Sequence, residues 1–223
     1  MKAAQMNRID LGGKVALVNG ASRGIGEAIA RGLAACGARV ILSSRDRDSV
    51  QLVADSITAD GGEATARACH AGRLEDIDAL FDSITSDFGR LDILINCAAT
   101  NPWFGPAADL PPAAFDKTVE VNLKGPYYMM SRAVPLMIAG GGGSIVNVAS
   151  IAALVAMSGQ AVYAMTKAGL VSLTPVSIWW PVSVAPAIWW RSSASSTHRR
   201  RRCRGRACRH LWGCWVSPSS PPG

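Results

Sequence analysis

An α/β fold is what the sequence predicts: a doubly wound parallel sheet whose carboxyl-terminal strands are missing or replaced. Three observations carry this. Apolar runs of strand length alternate with segments of helical period between residues 15 and 173, the pattern of strands covered on both faces by crossover helices. A glycine-rich turn follows the first apolar run, where a sheet of this kind binds its ligand. A chain of 223 residues with 49% hydrophobic composition is long enough for one sizeable core.

The first strand is Val15–Val18, within the stretch Lys14–Gly26 that the rest of the chain is organised around. Glycines stand at 20, 24 and 26, and a helical pattern opens with Ile25, Ala28, Ile29 and Leu33. Strand, glycine turn and helix start together place free N–H groups and a positive dipole end at one point, which suits a phosphate. Gly20 allows the tight turn, Gly24 allows a pyrophosphate to approach, and Gly26 allows helix and strand to pack closely. A merely tight turn could also carry three glycines, so the later elements must decide.

Arg39–Ser43 is a second strand, and Asp48–Asp60 a helix with Val50, Val53, Ala54 and Ile57 on one face. An NAD site usually ends this strand with an Asp or Glu that holds the ribose hydroxyls. Here the run is Ser43-Ser44-Arg45, with no acid until Asp46. Arg45, with Arg23 in the glycine turn, suits a 2′-phosphate, so NADP(H) is expected rather than NAD(H). Two solvated surface arginines are the plainer alternative. Glu63–Cys69 is a weak third strand, Leu74–Phe88 a helix, Leu91–Asn96 a fourth strand, Phe115–Ile138 one long helix, Ser144–Ala149 a fifth strand and Gln160–Leu173 a further helix.

The chemistry falls at Ser150, Tyr163 and Lys167. Ser150 ends the fifth strand, on the ligand-binding edge of the sheet. Tyr163 and Lys167 are four residues apart on a helix and share a face. A free tyrosine, with a pKa near ~10, is a poor acid at neutral pH, and a neighbouring ammonium favours its phenolate. Such a tyrosine can protonate a carbonyl oxygen as hydride reaches the carbon, while Ser150 hydrogen-bonds that oxygen.

These motifs resemble the short-chain dehydrogenase/reductase family over residues 8–174. The matching residues are Asn19-Gly20-Ala21-Ser22-Arg23-Gly24-Ile25-Gly26, Asn96-Cys97-Ala98-Ala99, Asn122 in Val121-Asn122-Leu123-Lys124-Gly125, Ser150, and Tyr163-Ala164-Met165-Thr166-Lys167. The resemblance implies a Rossmann-like NAD(P)-dependent oxidoreductase acting on a small-molecule carbonyl or alcohol. Tyr163 would be the general acid/base, Lys167 would hold the nicotinamide ribose and tune Tyr163, Ser150 would position the carbonyl, and Asn122 would hold a water in a proton relay. Gly20, Ser22, Arg23, Gly24, Ile25, Gly26, Ser44, Arg45, Asn96 and Ala98 would contact the cofactor together with Tyr163 and Lys167. The segment Asn96–Pro106 is similar to NADPH-preferring carbonyl reductases, and a 3-oxoacyl thioester reductase shares the same motifs. Asn19 stands in place of a usual Thr, Cys97 and Ala99 in place of Asn and Gly, and His70 where many members have an Asp against the adenine. His70 is read as a surface loop residue. Pairing of two copies through the helices bearing Asn122 and Tyr163 is the family analogy.

Charge divides the chain. Residues 1–174 carry 15 Lys and Arg against 16 Asp and Glu, whereas residues 175–223 carry eight Arg and no acid. Six of seven Trp and three of six Cys also fall in the second part. The family pattern stops after Thr174, inside a helix, and gives way to Ile178-Trp179-Trp180-Pro181 and the run Arg199–Arg206. Residues 1–174 are therefore read as an incomplete nucleotide-binding domain. Residues 175–223 are read as an aberrant, disordered or frame-shifted tail, and the two lost central strands would weaken the site. Nucleic-acid binding by the arginine run and zinc ligation by Cys203, Cys208, His210 and Cys214 are weighed and not adopted, since the spacing fits no common zinc motif. No metal is expected. The polar start and the lack of any run of roughly 20 apolar residues, with thiols at Cys36, Cys69 and Cys97 read as reduced, lead to an expected cytoplasmic location without membrane association. The alternative to an enzyme is a truncated, catalytically impaired nucleotide-binding module.

Overall fold

The computed structural model describes residues 9–155, 157–176 and 182–187. Six parallel strands form one sheet in the order β3-β2-β1-β4-β5-β6. They are β1 (Val15–Asn19), β2 (Arg39–Ser44), β3 (Glu63–Ala68), β4 (Ile93–Asn96), β5 (Gly143–Val148) and β6 (Val182–Ala187). The helices are α1 (Gly24–Ala35), α2 (Arg47–Ala59), α3 (Leu74–Phe88), α4 (Pro112–Val119), α5 (Gly125–Ala139) and α6 (Ala161–Val176).

Alternation along β1 shows how the sequence builds two faces. Val15 and Leu17 join the core that holds Ile77, Leu80 and Phe81 of α3 and Met129, Ala133 and Met137 of α5. Ala16 and Val18 join the opposite core, with Ala30 and Ala34 of α1 and Val50, Val53 and Ile57 of α2. The two-residue period of a strand sends neighbours to opposite layers, so a strand buried on both sides is apolar throughout. Chain order reverses between β1 and β4, which pair from Ala16 with Ile93 to Asn19 with Asn96. That switch point opens a crevice at the carboxyl ends of the strands.

At the other end of the sheet Asp92, 6% exposed, ties the strands together. It accepts hydrogen bonds from the Val15 N–H, Lys14 Nζ and Arg90 Nε. Its carbonyl accepts the Ser144 N–H. Burial pushes its carboxyl up, but these hydrogen bonds and the Arg90 charge outweigh that and hold it below the ordinary range.

Two expectations need correction. The long helix over 115–138 is two helices, α4 and α5, joined by a π-helical turn over Glu120–Lys124 that contains Asn122. Helical period runs smoothly through such a turn, so the sequence pattern does not reveal it. Beyond residue 174 no strand is legible, yet β6 pairs with β5 in parallel register from Gly143 with Val182 to Val148 with Ala187. Replacement thus describes this position better than loss, and β5 keeps a neighbour on both sides. Pro186 hides the strand in the sequence, because proline demotes a run in the interior of a sheet. At the outermost position its missing N–H is tolerated. The arginine run and the Cys203–Cys214 set lie outside the described residues.

Candidate active site

A cleft of about 460 Å³ lies over the switch point. The glycine turn forms its floor. Gly20 has φ +86°, and a Cβ there would stand 2.5 Å from the Ala98 nitrogen; a Cβ on Gly26 would stand 2.1 Å from the Gly20 oxygen. Both positions are therefore closed to any side chain. Gly24 differs, having φ +61° with open space around its would-be Cβ. Arg23 is the N-cap of α1 and gives no side-chain cap, so the helix start, with Gly24, Ile25 and Gly26 in the cleft lining, leaves its first N–H groups to an anion.

Ser22, Arg23, Ile25, Ser44, Arg45 and Ala98 all line the same cleft. Ser44 donates its hydroxyl to the Asp46 carbonyl. The Asp46 carboxylate accepts the Asp48 N–H as the N-cap of α2, so the nearest acid to the end of β2 is engaged in capping. Two further nitrogen-bearing side chains join the lining, those of His70 and Lys117, with Nε2 and Nζ 3.4 Å apart. Burial first, then the charges of Lys117, Arg73 and Arg45, push His70 below the ordinary histidine range. His70 is thus a half-buried cleft residue, not a plain surface one. Lys117 gives no signal in the sequence, because its reach to the cleft depends on how α4 packs.

Asn96 is placed differently. It is buried at the end of β4 and donates Nδ2 to Asn147 Oδ1 at 2.8 Å. Asn147 donates in turn to Thr174 Oγ1. The Asn19 side chain accepts from the Ser43 hydroxyl, and its Nδ2, at the cleft wall, is buried with no partner. This orphaned donor, the uncapped helix start, the open space above Gly24 and the cleft-lining Arg23 and Arg45 all fit the pyrophosphate of a nicotinamide dinucleotide.

Asn122 is fully buried. Its Oδ1 accepts the Thr100 N–H at 2.7 Å, and its Nδ2 donates to the Thr100 carbonyl at 2.8 Å and to Thr166 Oγ1 at 3.3 Å. The π turn points this amide at the loop after β4 and at α6 together. Thr166 in turn donates to the Tyr163 carbonyl. Lys167, 2% exposed, donates Nζ to the Val148 carbonyl at 2.8 Å, with the ammonium 5.9 Å from the Tyr163 ring centroid. Burial pushes Lys167 down to about 8, partly countered by the thiol of Cys97. Ser150 caps a short 3-10 turn over Ile151–Ala153, its Oγ accepting the Ala152 N–H, which leaves its own hydroxyl proton to donate. Ser150 thus follows β5 directly, and Lys167 of α6, one turn after Tyr163, is fastened to the carboxyl end of the same strand.

Residues 14–177 match the family model described as short chain dehydrogenase. The chain belongs to the short-chain dehydrogenase/reductase family. It is 41% identical over 175 residues to "Dehydrogenase/reductase SDR family member 4" of Homo sapiens, covering 78% of this chain and 63% of that protein. It is 37% identical over 166 residues to "D-threitol dehydrogenase" of Mycolicibacterium smegmatis, covering 74% and 64%. A metagenomic short-chain oxidoreductase crystallised with NADP superposes with a TM-score of 0.72 at 41% identity, covering 75% of this chain and 76% of that one. The chain therefore spans a little under two thirds of the length of the curated relatives it matches. Among the described residues no helix is long and apolar enough to cross a membrane, and no cluster of metal-ligating side chains occurs.

Proposed function

We propose that this chain is an NADP(H)-dependent oxidoreductase that reduces a ketone or aldehyde, or oxidises the corresponding alcohol. The observation that carries the reading is the buried Lys167 ammonium 5.9 Å from the Tyr163 ring, together with a cleft whose lining includes Arg23 and Arg45. The end of β2 contributes Ser44 and Arg45 rather than an acid to the cleft lining, which supports NADP(H) over NAD(H). Arg23 and Arg45 would hold the 2′-phosphate. The start of α1 would hold the pyrophosphate, and Lys167 the nicotinamide ribose.

When bound, the cofactor supplies or accepts the hydride. The chain's own residues move the proton and hold the charge. Tyr163 gives its phenol proton to the carbonyl oxygen, and Ser150 donates its hydroxyl to the same oxygen as negative charge grows there. The Lys167 ammonium offsets the charge left on the phenol oxygen. Asn122, through Thr100 and Thr166, keeps α6 and the loop after β4 in fixed relation. In the alcohol-oxidising direction the same proton returns to Tyr163.

Following NADPH absorbance with a panel of ketones, aldehydes and 3-oxoacyl thioesters tests this reading. Consumption with at least one of them supports it, and the panel separates a carbonyl reductase from a thioester reductase. A second reading is favoured by the cavity beside Tyr163, which is only about 10 Å³, room for one water. On that reading the chain binds the dinucleotide without turnover, and tight NADPH binding with no consumption is its mark. Self-association belongs to the same proposal. Val119, Leu123 and Tyr127, the last 51% exposed, line an apolar groove of about 640 Å³ beside α6, and sedimentation velocity tests it.

A further inference from the structure

The loop that follows β4 folds over the carboxyl edge of the sheet and is fastened to the turn before α6. The Gly105 N–H donates to the Gly159 carbonyl at 3.1 Å. The Phe104 ring lies against Gly159, where a Cβ would come within 3.0 Å of it. Trp103 turns back over Gly105, whose would-be Cβ lies 3.1–3.4 Å from three indole atoms. A methyl group there would push the indole away by a few tenths of an ångström. Beneath this strap is the small cavity bounded by Asn101, Trp103, Leu110, Thr118 and Tyr163. The Trp103 Nε1–H is buried, and among the described residues it has no hydrogen-bond partner.

An indole N–H has one bond to give and accepts none. Leaving it buried and unpaired is unfavourable, and buried tryptophans usually find a partner. Trp103 and Tyr163 line the same cavity, so a group that enters beside Tyr163 comes within reach of the indole N–H. The occupant must bring an oxygen with a free lone pair. The reacting carbonyl oxygen has its donors in Tyr163 and Ser150, so Trp103 serves a second one.

We propose that Trp103 is a specificity-determining residue, donating its indole N–H to a second oxygen of the substrate, so that the chain takes oxygen-bearing carbonyl compounds, such as hydroxyketones and dicarbonyls, in preference to plain ketones. The inference rests on the oxidoreductase reading for the position of the reacting carbon. A site built to hydrogen-bond a substrate group discriminates strongly against an analogue that lacks it, because its own polar atom is then left buried and unpaired. The 10 Å³ cavity is too small for either substrate, so the strap lifts from Gly159 to admit one and recloses with the N–H against the second oxygen.

The probes are 3-hydroxy-2-butanone and 2-butanone, which differ in a single hydroxyl. In the full chain saturated with NADP⁺, the indole N–H cross-peak missing from the Trp103→Phe spectrum identifies Trp103. It is expected to move downfield on titration with 3-hydroxy-2-butanone and to stay in place with 2-butanone. In turnover with NADPH, Trp103→Phe is expected to lower kcat/KM for the hydroxyketone about 10-fold or more relative to its effect on 2-butanone. A cross-peak that moves with neither probe, or equally with both, overturns the proposal, as does an equal loss of kcat/KM on both. The spectrum needs no chemistry, so it decides on Trp103 even if nothing in the carbonyl panel is consumed, an outcome that would count against the oxidoreductase reading alone.

Discussion

Lys167 shows how one side chain records its surroundings. It donates to the Val148 carbonyl from a position 2% exposed, and burial holds it near 8 rather than the ordinary 10.5. Between those values the unfolded chain binds the proton and the folded one does not, so this residue makes stability rise with pH there, by at most about 1.4 kcal/mol per pH unit. Below about 8 the full penalty of the buried charge is present, and above 10.5 it is gone. Lys167→Met should therefore remove that slope, and urea titrations of both proteins across the window measure it. Burial pushes Cys69 up to about 12, which opposes the slope at high pH in both proteins and drops out of the comparison, whereas Cys97, raised by burial and held back by the Lys167 charge, rises further in the variant and adds to the difference. At the glycine turn, Gly20→Ala should cost roughly 2 kcal/mol or more, since a Cβ at φ +86° meets the Ala98 backbone. The same titration reads it. Ser150, Tyr163 and Lys167 were legible in the sequence because they sit at fixed steps from a strand end. Lys117 and the Trp103 N–H were not, since one depends on how α4 leans and the other on how a loop folds back on Gly105.

At the level of elements, the end of β2 sets the cofactor reading. Ser44, Arg45 and Asp46 stand in a row, and only Arg45 is left facing the cleft with its charged group uncommitted to the α2 cap. Arg45→Ala should weaken NADPH binding about 10-fold or more, as loss of a charge-assisted contact does, and leave NADH nearly unchanged. Quenching of protein fluorescence by each dinucleotide checks it. Asp92 joins the starts of β1, β4 and β5 at the opposite end of the sheet. Its carboxyl is held low, so the stability it provides is present above the ordinary aspartate range and is lost as pH falls through its lowered value. Asp92→Asn should cost about 2 kcal/mol at neutral pH by leaving Arg90 and the Val15 N–H poorly matched, without changing dinucleotide affinity. The strands β1, β2, β4 and β5 could be read from apolar runs, and β3 only weakly, because Glu63 and Arg67 interrupt its apolar residues. The division between α4 and α5 could not, because a π turn keeps the apolar face continuous, and β6 is hidden by its proline.

Across the whole molecule, the sheet order puts the glycine turn, the Asn122 turn and the Ser150–Tyr163–Lys167 group along one edge, although more than 140 residues separate the first from the last. A dinucleotide bound along that edge would join elements from both halves of the chain and favour the folded state by mass action, by about 2.7 kcal/mol at a hundred times its Kd. The thermal midpoint should rise by roughly 5–10 °C with saturating NADPH and less with NADH at the same concentration. The account stands or falls on Tyr163 as the proton donor. The most direct measurement is Tyr163→Phe, with NADPH affinity and carbonyl reduction read on the same preparation. The predicted result is an unchanged Kd for NADPH with kcat lowered about 100-fold or more; a variant that binds NADPH equally well and still reduces the carbonyl at the wild-type rate would contradict it.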